Sequence, residues 1–166
     1  MLSMLIQNIV TLQHYSIRKK VLWFIIGIIG SILSLLLFAP ISSKMTDRGY
    51  DILDLEFAWN STNLNPILIA WDDILDDIIL FMIIDMFFPI FYFLIISGWT
   101  LILSSDNKNL NYTVLISFLA SLFDYIENLF TFDLVMRPDN YLSISPFVVS
   151  LFASIKFLFL VIAIFK

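Results

Sequence analysis

The 166-residue sequence contains no cysteine, so disulfide bonds, thiolate metal sites and cysteine nucleophiles are all excluded. Its single histidine, His14, lies far in sequence from the acidic residues of the apolar segments. A metal site of several histidines or a Ser-His-Asp triad therefore cannot be built within one chain. The formal net charge of −5 argues against binding to nucleic acid, which calls for a basic surface.

Charged residues are scarce throughout the chain. They make up 14% of the sequence, whereas 60% of it is hydrophobic. The mean hydropathy is +0.95. A soluble domain is typically about 45–50% apolar and about 25% charged. A chain of this size cannot bury so much apolar surface in its own interior, so the composition indicates a protein whose solvent is the lipid bilayer.

Four apolar segments are each long enough to cross a bilayer as a helix. We therefore predict an all-α integral membrane protein, a four-helix bundle that forms one domain over residues 1–166. The predicted spans are 21–39, 78–103, 112–132 and 145–165. Pro40 and the serines after it are expected to end the first span, and Pro89 is expected to kink the second.

Residues 1–20 have a weak helical period and end in Arg18-Lys19-Lys20. This pattern predicts an amphipathic segment that lies on the cytoplasmic surface of the membrane. A secretory signal is the alternative, because a basic stretch precedes an apolar one. The apolar run 21–39 is longer than the roughly 7–15 residues of a signal's apolar region, which favours a retained span.

The connection 40–77 between the first two spans is the longest polar stretch, and it is strongly acidic. Apolar residues recur through it, which predicts short interfacial helices folded onto the mouth of the bundle rather than a free linker. One such helix is expected to begin at Asn65-Pro66.

Four aspartates close this connection. On a helix, Asp72 would lie one turn from Asp76, and Asp73 one turn from Asp77, where like charges repel. A hard cation such as calcium could offset the repulsion, so the four are candidates for a metal site. No EF-hand spacing is present, and a solvated acidic collar at the outer interface is the alternative.

The positively charged residues predict the orientation. Four crossings put both termini on one side, together with the larger share of the basic residues. That side carries Arg18, Lys19, Lys20, Lys108 and Lys166, and the other carries Lys44, Arg48 and Arg137. The positive-inside rule then places both termini in the cytoplasm of a plasma or inner membrane, and the acidic connection outside.

Charged residues inside the spans are the strongest indication of function. Lys156 interrupts the fourth span, Asp85 the second, and Asp124 and Glu127 the third. A charge at membrane depth is costly unless it is paired or hydrated. With 1.5 Å of rise per residue, Asp85, Asp124 and Lys156 lie roughly 10–15 Å below the outer surface and Glu127 lies shallower than Asp124. All four fall in the outer half of the bilayer, so a common cluster is expected. Asn128 lies beside the two acids of the third span.

Two interpretations of this predicted cluster remain open. In the first, Lys156 pairs with Asp124 or Asp85 and only fixes the packing of the helices. In the second, the cluster lines a hydrated cavity. Three acids against one base leave excess negative charge, so either a carboxyl stays protonated or a cation completes the site. That excess favours proton or cation handling over anion binding.

Several short motifs resemble a known group of proteins. Ile52–Ala58 reads ILDLEFA, and it is followed by ILIAW at Ile67–Trp71. A DxxFxxxY element begins at Asp85, and a DxxEN element begins at Asp124. In this order, over about residues 50–130, the motifs resemble those of a family of uncharacterised small four-span membrane proteins.

The resemblance implies a four-span fold and a set of site positions, but no activity. The matched positions are Asp54, Glu56, Trp71, Asp85, Tyr92, Asp124, Glu127 and Asn128. Asp54, Glu56 and Trp71 are the candidates in the outer connection. Lys156 and the acidic run Asp72–Asp77 lie outside the pattern, so their roles rest on the physical argument alone.

The sequence therefore predicts a membrane protein that binds or transports a proton, a cation or a polar lipid headgroup. Asp85, Asp124 and Glu127 would carry the negative charge, and Lys156 would tune their protonation. Tyr92 and Asn128 would supply hydrogen bonds. No cofactor is expected. The alternatives are a structural or assembly protein and, third, an intramembrane lipid-modifying enzyme with a carboxylate pair as acid and base.

Partners other than the lipid bilayer stay open at this stage. The first span holds two pairs of small residues four positions apart, Gly27 with Ser31 and Gly30 with Ser34. Such pairs permit close packing of helices. They suit packing within the bundle, and equally a homo-oligomer or a larger membrane complex.

Overall fold

The computed structural model of the protein describes residues 16–103 and 107–165, with the side chains of all of these except residues 107–111. The described residues form helices and no strand. In chain order the helices are α1 (Ile17–Asp47), α2 (Ile52–Glu56), α3 (Ser61–Ala70), α4 (Leu75–Asp85), α5 (Phe88–Leu103), α6 (Asn107–Met136) and α7 (Ser145–Phe165), with a 3₁₀ turn at Asp72–Ile74 before α4. The amphipathic segment expected at residues 1–20 falls mostly outside the described residues.

Four stretches are long and apolar enough to cross a membrane, which confirms the all-α four-span prediction. They are Ile17–Asp47, Asp72–Leu103, Tyr112–Met136 and Ser145–Phe165. We call the end of the bundle that holds the α1–α4 connection and the α6–α7 loop the loop end.

Pro40 does not end the first helix, so that prediction is wrong. Helix α1 continues past it to Asp47. Proline removes one backbone donor, which a helix tolerates when packing on both sides of it is favourable. Ile41 and Met45 supply that packing, because their side chains are buried against the core at the loop end.

The second crossing is interrupted where Pro89 was expected to disturb it. Helix α4 ends at Asp85, a turn at Met86-Phe87 follows, and α5 begins at Phe88. Proline fits the first turn of a helix, where its missing N–H has no helical partner to lose. Pro89 therefore begins a new helix rather than bending a continuous one.

Two other helices begin earlier than the sequence suggested. Helix α3 begins at Ser61 rather than at Asn65-Pro66, because the side chain of Asn60 accepts a hydrogen bond from the backbone N–H of Asn63 and caps it. Helix α6 begins at Asn107, five residues before the third span predicted at 112–132.

The four crossings pack in an open arc, in which α1 packs along α5, α5 along α6, and α6 along α7. Over their described lengths, α1 and α7 share no extended contact. Gly27 explains the close approach of α1 to α5, since a Cβ there would lie 2.8 Å from the backbone nitrogen of Ile95. Gly27, Gly30 and Ser34 are thus buried within the bundle.

The hydrophobic core lies at the loop end. Its largest fully buried side chains include Met45, Leu55, Leu64, Trp71 and Ile78. They come from the end of α1, the connecting helices and the start of the second crossing. The connection is therefore a packed part of the fold, and this is what gives it a fixed position relative to the charged residues of the spans.

Candidate functional site

Lys156 is the centre of a buried ionic cluster. It lies on α7, eleven residues after Ser145, which is roughly 16 Å along the helix. Its Nζ is 3.2 Å from Glu56 Oε1, 3.2 Å from Asp124 Oδ1 and 2.8 Å from Glu127 Oε2. All four side chains are buried, so their charges interact far more strongly than they would in water.

Helix α6 supplies two of the three carboxylates. Asp124 and Glu127 are three residues apart and so share one face of the helix. The hydroxyl of Tyr92, on α5, donates a hydrogen bond of 2.9 Å to Asp124 Oδ2. Asp124 is thus held between an ammonium on one oxygen and a phenol on the other, which fixes the orientation of its carboxylate.

The third carboxylate, Glu56, comes from the connection and not from a span. Helix α2 begins with a capping box between Asp51 and Asp54, and Glu56 is its last residue. The chain then runs along α7, where the ring of Phe57 stacks on that of Phe157 at 5.9 Å. The connection thus enters the bundle to the depth of Lys156.

A backbone feature turns the chain back towards the loop end. Trp59 adopts a positive φ of 62°, which is uncommon for a residue other than glycine. Its backbone N–H donates a hydrogen bond of 2.8 Å to the buried hydroxyl of Ser150 on α7. Backbone polar groups at membrane depth must be satisfied by protein, and this bond does so at the turn.

Asp85 and Asn128 border the cluster. Asp85 is the last residue of α4 and is half-buried, and no ion pair joins it to Lys156 among the described contacts. Asn128 is 2% exposed, and its Nδ2 has no hydrogen-bond partner in the described part of the chain. The structure therefore brings all six residues expected in the spans to one region. Four of them are joined by direct contacts: Tyr92, Asp124, Glu127 and Lys156.

A cavity of about 280 Å³ opens beside the cluster. Its polar wall is formed by Glu56, Asp85, Tyr92, Asp124 and Lys156. The other walls are mostly apolar, and they include Leu35 and Phe38 of α1, Phe81 and Phe88 of the second crossing, and Phe157 and Leu160 of α7. The cluster is thus accessible from one side through an apolar opening.

The other two candidates of the connection have structural roles. Asp54 is exposed, and it caps α2 by accepting a hydrogen bond of 2.8 Å from the backbone of Asp51. Trp71 is 1% exposed and belongs to the hydrophobic core. Neither side chain is placed near Lys156 by any described contact.

The acidic run at the start of the second crossing forms ion pairs with the end of α1. Asp73 accepts hydrogen bonds of 2.7 and 2.6 Å from Arg48, and Asp77 pairs with Lys44 at 2.6 Å. Asp72 and Asp76 are exposed. Within residues 16–103 and 107–165, no group of three or more acidic or histidine side chains is arranged to hold a metal ion.

The charges of the cluster do not balance. Three carboxylates surround one ammonium, and all four residues are buried. Burial raises the pKa of Glu56 above its ordinary value, and the attraction of Lys156 opposes this without cancelling it. The arrangement can therefore take up protons or a second cation.

Sequence reasoning did not place Glu56 at this cluster. It lies in a polar stretch, and nothing in its spacing relates it to the spans. The available signal was its immediate surroundings: Leu55 and Ala58 are apolar, and both are buried at 1% and 2% exposure. A short helix with apolar neighbours, such as α2, is able to enter a bundle. A charged residue between those neighbours, here Glu56, is then buried with them.

Comparison of the chain with protein-family models, with curated proteins and with solved structures gives no match. The family resemblance of the motifs therefore stays a prediction, and the interpretation of the site rests on its geometry.

Proposed function

We propose that the cluster around Lys156 is a cation-binding site within the membrane, and that the cation exchanges with protons held by the carboxylates. The protein would then serve in the binding or transport of a proton or another cation. The observation that carries this proposal is the presence of three buried carboxylates within 3.2 Å of one ammonium.

The excess of acids is the reason to prefer this function to a purely structural one. Removing an ion from water costs several kcal/mol, and a close opposite charge repays that cost only when the pair is well matched. A structural ion pair needs one carboxylate for Lys156. Two further buried carboxylates add cost without adding a partner, unless protons or a cation neutralise them.

Each residue has a role in this proposal. Glu56, Asp124 and Glu127 would hold the exchanging protons and accept hydrogen bonds from a cation that carries N–H groups, since the described acids are not arranged as a metal-ion site. Lys156 limits the charge that the site accepts. Asp85 lies on the wall of the cavity, where it would attract a cation approaching the cluster. With both termini in the cytoplasm, as the basic residues suggest, the loop end and this half of the bundle face outward.

A structural role is the second candidate, and one observation favours it. Lys156 joins α7 to α2 and α6, while Tyr92 joins α5 to α6. These contacts fix the relative positions of four helices. In this case the cluster specifies packing, and its excess charge is permanently neutralised by protons.

Proton release on cation binding separates the two candidates. The protein in lipid nanodiscs, in weakly buffered solution with a pH indicator dye, is titrated with sodium, potassium, calcium and ethylammonium chlorides. If the site binds a cation, at least one of these salts should release protons from the wild type. Asp124→Asn should reduce that release and leave the protein folded.

Asp139→Asn is the matched control, because Asp139 is an exposed aspartate of the α6–α7 loop. It should release protons as the wild type does. If no salt releases protons, and Asp124→Asn lowers the thermal midpoint, the structural role is correct and the proposed function is wrong. Equal release from wild type and Asp124→Asn would also contradict the proposal.

A further inference from the structure

The flank between α1 and α7 is the open side of the bundle. These two helices have no extended contact along their described lengths, since α1 packs along α5 and α7 packs along α6. Two cavities occupy the flank: the one of about 280 Å³ at the cluster, and another of about 350 Å³ farther from the loop end. In a bilayer, an opening between two spans faces lipid.

The second cavity is almost wholly apolar. It is lined by Phe24 of α1, by Ile95, Ile96 and Trp99 of α5, and by Ala163 and Ile164 of α7. Helices α1, α5 and α7 contribute lining residues to both cavities. On α7, Lys156 and Ala163 are seven residues apart, so they lie on one face of the helix and roughly 10 Å from each other.

The flank therefore has a charged end and an apolar end. Glu56 lines the charged end, is 7% exposed, and has an Oε2 atom with no hydrogen-bond partner in the described part of the protein. A buried acceptor without a donor is unfavourable, so a ligand that brings N–H groups would be stabilised there. Phe157 and Leu160 lie between the polar and the apolar parts.

We infer that this flank binds an amphiphile with an alkylammonium head and a long alkyl chain, taken laterally from the bilayer. The head would lie among Glu56, Asp124 and Asp85, and the chain would run along α5 towards Trp99. A cationic head fits because the acids outnumber Lys156, whereas an anionic head would meet net negative charge. This inference rests on the proposed cation site and names its substrate class.

The test uses the quenching of tryptophan fluorescence. Dodecylamine carrying bromine on its chain should quench Trp99 in the nanodisc-embedded protein, and Trp99→Phe should remove that component. Unlabelled dodecylamine should compete with the probe. Dodecanol has the same chain with a neutral head, and ethylamine has the head without the chain, so both should compete at least about tenfold less well.

Two variants test the two ends of the flank. Asp124→Asn should weaken the competition by dodecylamine about tenfold, since it removes a charged partner of the head. Ala163→Phe should weaken it because the added ring fills the apolar cavity. Ile162→Phe, which adds the same ring at a more exposed position next to it, should have no effect. If Ala163→Phe does not fold, Ile164→Phe serves instead, because Ile164 lines the same cavity, is 65% exposed, and the new ring adds no tryptophan to the fluorescence.

The outcomes separate this inference from the proposed function. If dodecanol competes as well as dodecylamine, the probe only partitions into lipid and the inference is overturned. If dodecylamine and ethylamine compete equally, and both depend on Asp124, the cation site stands without a chain-binding groove. If neither amine nor any small cation depends on Asp124, both proposals fail.

Discussion

At the scale of single residues, Glu56 links the α1–α4 connection to the membrane spans. Its carboxylate reaches Lys156 across one hundred positions of sequence, and it alone of the three carboxylates that pair with Lys156 in the described part of the chain lies outside a span. Because its pKa is raised in the folded protein, Glu56 holds a proton at pH values where the unfolded chain has lost it. Folding is thereby linked to pH through this group.

The variant Glu56→Gln should make stability less dependent on pH. A carboxyl with a raised pKa stabilises the fold fully below its ordinary value of 4.5, and this contribution is lost as the pH rises through the raised value. The thermal midpoint of the wild type should therefore fall more steeply above about pH 5 than that of the variant. The measurement is a series of melting curves at different pH.

Asp54→Asn provides the comparison for this experiment. Asp54 lies on the same short helix but is exposed. It should leave the slope of the midpoint against pH unchanged. The groups that face Glu56 (Lys156, Asp124, Glu127 and Asp85) remain in both variants, so only the difference between the two slopes reports on Glu56. Identical slopes for Glu56→Gln and wild type would contradict the assignment.

Lys156, Asp124 and Glu127 could be predicted from sequence because each interrupts a long apolar run, and the rise of a helix then gives its depth. Their depths agreed to within a few residues, which is enough to suggest contact. Glu56 could not be predicted in this way. Its depth is set by the path of the connection, and that path depends on packing between residues distant in sequence, such as Phe57 against Phe157.

At the scale of elements, the segment of the connection that carries Glu56 takes its position from the helices around it. Helix α2 has only five residues, too short to be stable alone, so its position depends on its neighbours. The hydrogen bond from Trp59 to Ser150 is the anchor where the chain turns back. Trp59 also packs its ring 6.0 Å from that of Phe147.

Ser150→Ala should loosen this anchor. The substitution leaves the part-buried backbone N–H of Trp59 without its acceptor, which should cost about 1 kcal/mol in the free energy of unfolding. It should also increase the rate of chymotrypsin cleavage after Phe57 or Trp59. Both can be measured in detergent, by chemical denaturation and by timed digestion.

Ser154→Ala is the matched control, one turn farther along α7. Within the described residues, the hydroxyl of Ser154 donates to the carbonyl of Ser150 in its own helix at 2.8 Å and joins no other helix, so its loss should change little. Equal effects of the two substitutions on cleavage would show that the Trp59 contact does not hold the connection in place.

The course of the elements was only partly predictable. The break at Met86-Phe87 follows from a proline in an apolar helix, which sequence shows directly. The continuation of α1 past Pro40 does not, because it depends on Ile41 and Met45 meeting core residues of other helices. The position of a proline in the sequence shows only where a backbone hydrogen bond of the helix is lost. Tertiary packing decides whether the helix ends there.

At the scale of the whole molecule, the outer surface of α1 differs in polarity from the loop end. The outer surface of α1 exposes a long apolar stripe, including Ile29, Leu33 and Leu36. The loop end instead carries exposed polar residues such as Asn63 and Asp139. A bilayer would cover the first surface and leave the second in water.

The lack of cysteine allows a direct test of orientation with single-cysteine variants. Asn63→Cys and Asp139→Cys should react with a membrane-impermeant maleimide on intact cells if the loop end faces outward, as the positive-inside rule predicts. Arg18→Cys, at the start of α1, should react only after the cells are made permeable. The fraction labelled is read on a gel.

Ile29→Cys should stay unlabelled in both conditions, because lipid covers it. Labelling of Arg18→Cys on intact cells, with protection of the other two, would mean that the protein has the opposite orientation. Labelling of only one of the two loop-end variants would contradict a shared side for the connection and the α6–α7 loop.

The position of Lys156 on α7 also has a consequence for biogenesis. A ribosome makes Glu56, Asp124 and Glu127 before it makes the one base that all three contact. While α6 is being inserted, its two acids therefore lack Lys156 as a partner. The ionic contacts of the cluster can form only after α7 has been made.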